Sequence, residues 1–164
     1  MENLHIRRAT REDVPTLVNL VRRLAQYERL EHEVTATEEL FTRHGFGDAP
    51  RFEALVAELP PADPAAVGFA LYFFTFSTFT GKPTLYLEDI FVLPEFRGQG
   101  IGKALLRELA RIALAADCAR MEWAVLNWNE SAIRFYRSLG ARPLEEWTTF
   151  RMTRNAIEKL ARET

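Results

Sequence analysis

Apolar and polar residues alternate with two periods along this chain, and the two periods separate predicted helices from predicted strands. The first helix follows Thr10, the expected N-cap, and its apolar positions recur at a spacing of three or four: Val14, Leu17, Val21 and Leu24. Thr35 and Glu38 match a capping box, which predicts a second helix that ends before Gly45.

Three further helices are predicted in the second half of the chain. A glycine-rich stretch, residues 97–102, opens one of them, and its apolar stripe consists of Leu105, Leu109, Ile112 and Ala116. Residues 130–139 form the next helix, and Gly140 stands where a helix-terminating glycine belongs. A short helix closes the chain.

Between these helices, runs of β-branched and aromatic residues predict six strands. They cover residues 4–7, 52–57, 67–72, 84–93, 121–126 and 148–152. The proline-rich segment 59–64 lies between two of the strands and is expected to be a hairpin loop rather than a linker. Because strands and helices mix without strict alternation, the predicted fold is a single α+β sandwich with helices on both faces of a sheet.

Composition narrows the class of protein without pointing to an activity. The chain has 164 residues, 48% of them hydrophobic and 27% charged, which suits one domain (residues 1–164) and excludes disorder as the main state. A net charge of −2 argues against a basic nucleic-acid-binding surface. The N-terminus lacks the apolar core of a secretory signal, and the most apolar stretch, residues 67–76, is about half as long as a membrane span. We therefore expect a cytoplasmic protein that binds neither nucleic acid nor membrane.

Cysteine and histidine give little support for a metal site or a thiol-based site. Cys118 is the one cysteine, which excludes an intrachain disulfide, and its alanine-rich surroundings favour a buried small residue over a nucleophile. His5, His32 and His44 stand far apart, without the spacing of zinc ligands. No metal is expected.

The most informative stretch of the chain is Arg97-Gly98-Gln99-Gly100-Ile101-Gly102-Lys103. It joins a predicted strand to a predicted helix, so backbone N–H groups and the positive end of the helix dipole meet at a site suited to phosphate. A Rossmann turn would need its third glycine one residue after Gly102, and a P-loop would need glycine at Arg97 and a hydroxyl residue at Ala104. The remaining pattern, Arg/Gln-x-x-Gly-x-Gly/Ala, resembles the acyl-CoA pyrophosphate loop of the GNAT acyltransferase superfamily; an ordinary glycine-rich turn is the alternative.

Two neighbouring segments resemble the same superfamily in its order and spacing. Residues 85–94 look like its central strand, and residues 129–136 look like its asparagine-to-tyrosine helix. On segments 24–28, 45–47, 67–75 and 86–89 the likeness narrows to the diamine (spermidine/spermine) acetyltransferases, a subgroup that also contains enzymes for thialysine. The likeness covers nearly the whole chain. Around residues 145–147 the chain is a few residues shorter than the subgroup, which leaves polyamine specificity open.

The resemblance implies an α/β/α sandwich around a mixed, mainly antiparallel sheet that is splayed near an acetyl-CoA site. The implied cofactor-binding residues are Ile90, Phe91, Val92, Arg97, Gly98, Gln99, Gly100, Ile101, Gly102, Lys103, Asn129, Ser131 and Ala132. Backbone N–H groups freed by the splay near residues 90–92 would stabilise an oxyanion and pair with the pantetheine amides. Asn129 suits a plain helix N-cap equally well.

For the chemistry, the resemblance assigns Glu88 to amine binding and water-relayed removal of a proton, and Tyr136 to protonation of the departing sulfur. Neighbours on a regular strand face opposite ways, so a β-bulge, as in the family, is expected to turn Glu88 and Asp89 to one side. The implied substrate-binding residues are Tyr27, Glu28, Glu88, Asp89, Glu122, Trp123 and Glu146.

The leading hypothesis is an acetyl-CoA-dependent N-acetyltransferase for a primary amine of a small cationic substrate, either a di/polyamine or a lysine analogue such as thialysine, by direct transfer. Within enzymes, the alternative is another amine: an aminoacyl metabolite, an amine toxin or a protein lysine. Outside enzymes, the alternative is a non-catalytic acyl-CoA sensor. The apolar run 73–79 is expected in the core and in a subunit contact, since the family usually forms homodimers.

Overall fold

In the part of the chain that the structure describes, five strands form one sheet, and their order in space is their order along the chain. The computed structural model describes residues 3–62 and 64–163, and its strands are β1 (His5–Arg8), β2 (Glu53–Glu58), β3 (Ala66–Ser77), β4 (Lys82–Val92) and β5 (Arg120–Trp123). Neighbouring strands are antiparallel except for β4 and β5, which run parallel. The α+β class with a mixed, mainly antiparallel sheet is therefore confirmed, as is the hairpin between β2 and β3. Asp63 of the predicted hairpin loop lies outside the described residues.

The described part of the unit that contains the sheet, which ends at Ala124, has three α-helices. They are α1 (Val14–Glu28), α2 (Glu38–Phe46) and α3 (Ile101–Ala115). On one side of the sheet, here called the α1 face, the apolar residues of α1 and of the strands share a buried core: Leu17, Leu20, Leu24, Ala54, Val56, Phe69, Leu71, Phe91 and Leu93. Residues that alternate with this set, such as Leu55, Tyr72 and Leu87, are buried on the opposite side, the α3 face, where α3 packs against the strands.

Local polar contacts set the helix ends, and both ends of α2 differ from the predicted ones. Thr10 caps a short 3-10 turn before α1, and its N–H donates to the Asp13 carboxylate at 2.7 Å. The predicted capping box of Thr35 and Glu38 is wrong: Thr37 is the N-cap of α2, because its hydroxyl accepts from the Leu40 N–H at 3.2 Å. The helix also continues through Gly45 to Phe46.

The described part of the second unit, which begins at Val125, contains two helices joined by turns and irregular segments. They are α4 (Glu130–Ser138) and α5 (Arg154–Ala161), and Gly140 follows α4 with a φ of 90°, as predicted for a terminating glycine. The strand predicted at residues 148–152 is wrong. Residues 148–152 do not form a strand in the structure, although their aromatic and β-branched side chains have strand propensity, because such propensity is weak evidence without its structural context. Within residues 3–62 and 64–163, no helix has both the length and the apolar character that a membrane crossing needs.

Candidate active site

A β-bulge interrupts β4 at Glu88. In the ladder between β3 and β4, Leu71 lies opposite Asp89 and Tyr72 lies opposite Leu87, so Glu88 has no residue opposite it. An extra residue of this kind changes the phase of the strand's alternation. The bulge that the resemblance led us to expect is therefore present.

The phase change brings both acids to the α1 face. Asp89 lies opposite Leu71, which belongs to the core beneath α1. Glu88 comes two residues after Tyr86, whose ring packs against Phe73 at 5.2 Å between centroids, on the same face. Leu87, between Tyr86 and Glu88, is buried on the α3 face. Two consecutive carboxylates thus share one side of the sheet, which a regular strand does not permit.

A third carboxylate, Glu28, lies at the end of α1 on this face. Burial of the Asp89 carboxyl raises its pKa to about 6, and the charges of Glu88 and Glu28 contribute to the shift. Burial also raises the pKa of Glu28. A cluster whose members disfavour each other's ionisation is stabilised by a cation, so this part of the α1 face is suited to bind one.

The outer edge of β4 is open beyond the bulge. β5 pairs with β4 only from Thr84 opposite Arg120 to Leu87 opposite Trp123, and no other strand of the described chain continues along this edge. The predicted strand at 121–126 therefore ends early, because its partner departs from it at Glu88. This is the splay that the resemblance implied.

Backbone groups of Ile90 and Val92 point to that open edge. The Leu93 N–H donates to the Val67 carbonyl on β3 at 2.9 Å. Because backbone groups alternate along a strand, those of Phe91 and Asp89 also bond to β3, and those of Ile90 and Val92 face away from it. Their two N–H groups lie about 7 Å apart along the strand. Such an edge can donate hydrogen bonds to an oxyanion and pair with an extended chain that carries amides.

The loop after β4 has the backbone shape of an anion site. Gly98 and Gly100 have φ values of 77° and 76°, a left-handed conformation that favours glycine. Gly100 is the N-cap of α3, so the first N–H groups of a 15-residue helix lie beside the loop. These residues fit the pyrophosphate of an acyl-CoA. Gln99 and Lys103 are exposed at this place, Gly102 is half-buried, and Ile101 is buried, so that only the backbone of Ile101 can serve a ligand here.

Three further predicted site residues belong to the first unit, and two of them have partners within it. Phe91 is buried in the core beneath α1, and its ring lies 6.4 Å from that of Tyr27. Glu122 lies beside Tyr86 on β5, and its carboxylate pairs with the Arg120 guanidinium at 2.8 Å. Burial raises the pKa of Tyr86, and the charges of Glu88 and Glu122 raise it further. Trp123, also on β5, is half-buried where the pairing with β4 ends.

In the second unit, Asn129 caps α4. Its side-chain oxygen accepts from the Ala132 N–H at 3.3 Å and from the Ser131 hydroxyl at 3.2 Å, so the N-cap role is confirmed. Tyr136 lies on α4 and is half-buried, with its ring 5.5 Å from that of Phe135. Glu146 is exposed in a turn before α5.

One neighbour of the acid cluster, Tyr86, was absent from the predicted site, and one predicted site residue, Arg97, makes a contact that was not expected. Tyr86 shares the face of Glu88, and alternation back along the strand would have indicated it. Arg97 was expected in the loop only, yet its guanidinium lies over the ring of Tyr27, a contact between distant parts of the chain that no local pattern signals.

The thiol and the histidines take no part in this arrangement. Cys118 is half-buried, and burial raises the pKa of its thiol, which favours the small-residue interpretation over a thiolate nucleophile. No group of three or more histidine, cysteine or acidic side chains with metal-binding geometry occurs among the described residues.

Comparison with known proteins agrees with this geometry. The model of the acetyltransferase (GNAT) family matches residues 15–141. The thialysine N-epsilon-acetyltransferase of Mus musculus is 41% identical over 98% of this chain and 99% of its own length. The spermidine/spermine N(1)-acetyltransferase-like protein 1 of Homo sapiens is 38% identical over 99% of this chain and 24% of its own length. An integron cassette protein from the mobile metagenome of V. cholerae has a similar structure, with a TM-score of 0.81 at 27% identity, over 98% of this chain and 99% of that one.

A loop shaped for pyrophosphate beside an open, donor-bearing strand edge is the arrangement of an acyl-CoA-dependent transferase. The family match spans most of the chain, and a relative of nearly equal length aligns with almost all of it at 41% identity. The chain belongs to the GNAT acetyltransferase family, and its activity is acetyl-CoA-dependent N-acetyl transfer.

Proposed function

We propose that this enzyme acetylates a primary amine of a small cationic substrate, of the di/polyamine or lysine-analogue class that includes thialysine. The observation that carries the proposal is the cluster of Glu28, Glu88 and Asp89 on one face, next to the open edge of β4. The relatives named for thialysine and for spermidine/spermine support the same substrate class.

The acid cluster addresses the first difficulty of the reaction, which is the charge of the amine. An alkylamine with a pKa of about 10.4 is neutral only about 0.04% of the time at pH 7, a cost of roughly 4–5 kcal/mol. Glu28 and Asp89, both half-buried, would hold the ammonium group. Glu88 is exposed and can therefore pass the proton through water to solvent.

The open edge addresses the second difficulty, the negative charge of the tetrahedral intermediate. The N–H groups of Ile90 and Val92 would donate to that oxygen or to the amides of an extended arm. The Val92 carbonyl, which also points to this edge, already accepts from Arg97 Nε at 3.0 Å. The edge therefore offers mainly donors, and preorganised donors in such a position contribute several kcal/mol to the barrier reduction.

Acetyl-CoA supplies an acetyl group activated as a thioester. The residues proposed to hold it are the glycine loop 97–103 with the start of α3, the edge of β4, and Asn129, Ser131 and Ala132 at the start of α4. Asn129 can cap α4 and bind the cofactor arm at once, because its two cap bonds use only the side-chain oxygen.

Tyr136 is proposed as the acid that protonates the sulfur. A tyrosine with a pKa near 10 that donates to a thiolate near 8.5 is uphill by roughly 2 kcal/mol for complete transfer. The donation is therefore partial in the transition state, and it stabilises the leaving group as a strong hydrogen bond.

The experiment is a thiol-release assay with acetyl-CoA against spermidine, spermine, putrescine, thialysine, lysine and a lysine peptide. Fast turnover of one small cationic amine is expected, and Tyr136→Phe should lower kcat by about 10²–10⁴ with acetyl-CoA affinity unchanged. Glu88→Gln should lower kcat/KM for the amine, whereas Glu39→Gln, an exposed acid on α2, should match the wild type. Turnover of the peptide alone would refute the small-amine class, and unchanged turnover in Tyr136→Phe would remove that residue from the mechanism.

We also propose that the enzyme is a homodimer whose subunits meet at the end of the β3–β4 hairpin. The β3–β4 hairpin extends beyond its neighbours, because β2 pairs with β3 only as far as Tyr72 and β5 begins opposite Thr84. Near its end, Phe76 is 66% exposed and Phe79 is 92% exposed, which suits a subunit contact.

The family match runs from residue 15 to 141, across the boundary between the two units, and supports one functional domain over residues 1–164. A cytoplasmic location, and the absence of a metal and of nucleic-acid or membrane partners, stay predictions of the sequence.

A further inference from the structure

Arg97 begins the glycine loop, but its side chain extends back to the end of β4. Its Nε donates to the Val92 carbonyl at 3.0 Å. Its guanidinium carbon lies 4.2 Å from the centre of the Tyr27 ring and 5.5 Å from that of Phe91. A planar guanidinium stacked on a ring while it donates a hydrogen bond is an arrangement that lysine does not reproduce.

The residues that Arg97 contacts belong to the elements that carry the acid cluster. Tyr27 immediately precedes Glu28 at the end of α1, and its ring lies 6.4 Å from that of Phe91. Phe91 comes two positions after Asp89 and lies on the same face of β4. One side chain therefore connects the backbone of the glycine loop with two elements that supply carboxylates.

We propose that Arg97 is a positioning residue that couples the cofactor site to the amine site. A ligand on the glycine loop fixes the backbone of Arg97, and the stacked guanidinium then holds Tyr27 and the end of α1 in place. Glu28 and Asp89 are thereby set to receive the cationic substrate. This inference rests on the proposed function, because it requires an amine bound at the acid cluster.

The coupling has a thermodynamic consequence that a simple phosphate contact lacks. If the loop ligand raises the affinity for the amine by some factor, the amine raises the affinity for the loop ligand by the same factor. An arginine that served only as a positive charge near phosphate would change cofactor affinity and leave the amine affinity alone. The ratio of amine affinities with and without cofactor therefore isolates the positioning role.

The test is calorimetric binding of thialysine, or of the panel amine with the highest turnover, to the enzyme alone and to the enzyme saturated with coenzyme A. Coenzyme A carries no acetyl group, so no turnover occurs during the titration. The wild type is expected to bind the amine about fivefold more tightly with coenzyme A present, the size of one exposed cation–π contact. Arg97→Lys keeps the charge but loses the stack, and its ratio should fall to about one. Arg22→Lys, an exposed arginine on α1, should keep the wild-type ratio.

Tyr27→Leu provides a second route to the same answer. It should also reduce the ratio of amine affinities with and without coenzyme A to about one. Adding Arg97→Lys should reduce this ratio no further, because both changes break the same contact between Arg97 and Tyr27. An unchanged ratio in Arg97→Lys, or a wild type whose amine affinity ignores coenzyme A, would overturn the inference while the proposed function stands. If no amine of the panel is bound or acetylated, the proposed function itself is refuted.

Discussion

Replacing Asp89 with asparagine should stabilise the folded protein at neutral pH while it weakens amine binding. The pKa of this carboxyl is about 6 in the folded chain, because it is half-buried and lies in the field of Glu88 and Glu28. The pKa of an aspartate in an unfolded chain is near 3.9. Between about pH 4 and pH 6 the folded state therefore holds a proton that the unfolded state has released, and the free energy of unfolding falls as the pH rises through this window.

The size of this effect follows from the two pKa values. The difference between about 6 and about 3.9, at 1.36 kcal/mol for each pKa unit, corresponds to about 3 kcal/mol lost by pH 7. Water screens part of the charge on a half-buried carboxyl, which reduces the expected loss to about 1–2 kcal/mol. The amide of an asparagine at this position would carry no charge and avoid that loss, so the melting temperature of Asp89→Asn should rise by about 2–8 °C at neutral pH.

Urea unfolding of wild type and Asp89→Asn at about pH 4 and about pH 8 measures the difference directly. We expect nearly equal stabilities at the lower pH and a more stable variant at the higher pH. Asp48→Asn, at an exposed acid, should follow the wild type at both values. The hydrogen bond from Arg7 lowers the pKa of Asp13 to about 2, which stabilises the folded chain at pH values above the unfolded pKa of about 3.9. This contribution is the same in all three proteins and cancels. Parallel pH profiles for wild type and Asp89→Asn would refute the reasoning.

Two further predictions concern the loop and the hairpin. Gly100→Val should weaken acetyl-CoA binding by at least tenfold, because a β-branched residue is strained at a φ of 76° and blocks backbone approach to the pyrophosphate. Gly81→Val, at a φ of 65° in the hairpin turn with open space around it, should lose similar stability but keep the affinity, and equal affinity losses in both would contradict the loop assignment. Phe79→Ser should shift a dimer toward monomer in light scattering with little change in unfolding free energy, and an unchanged mass would exclude this residue from the subunit contact.

Local signals in the sequence were sufficient for the glycine loop and for most elements. Two glycines two positions apart, between a strand and an amphipathic run, favour a turn before a helix, and the structure has that turn, with Gly98 and Gly100 both in a left-handed conformation. The helix ends at Asn129 and Gly140 were equally local, since a cap acts within three or four residues.

Features that depend on pairing between distant segments were not predictable from residues alone. The common facing of Glu88 and Asp89 follows from their register against β3, and only the resemblance to a family suggested the bulge. The end of β5 at Trp123 is likewise set by its partner strand. At residues 148–152, strand propensity alone was not sufficient to predict the structure. The contact of Arg97 with Tyr27 joins residues 70 positions apart in the chain.

The bulge also tells how this site relates to the rest of the sheet. Leu87 faces α3 and Asp89 faces α1, so these two already point in the opposite directions that direct neighbours on a regular strand require. Deleting Glu88 would join them without turning any core side chain to the other face. The packing of the hydrophobic core therefore does not depend on Glu88, and β4 stays paired with β3 on both sides of it. Glu88 is thus an exposed acid that leaves one residue of β4 unpaired, and the pairing of β4 with β5 ends at the residue just before it.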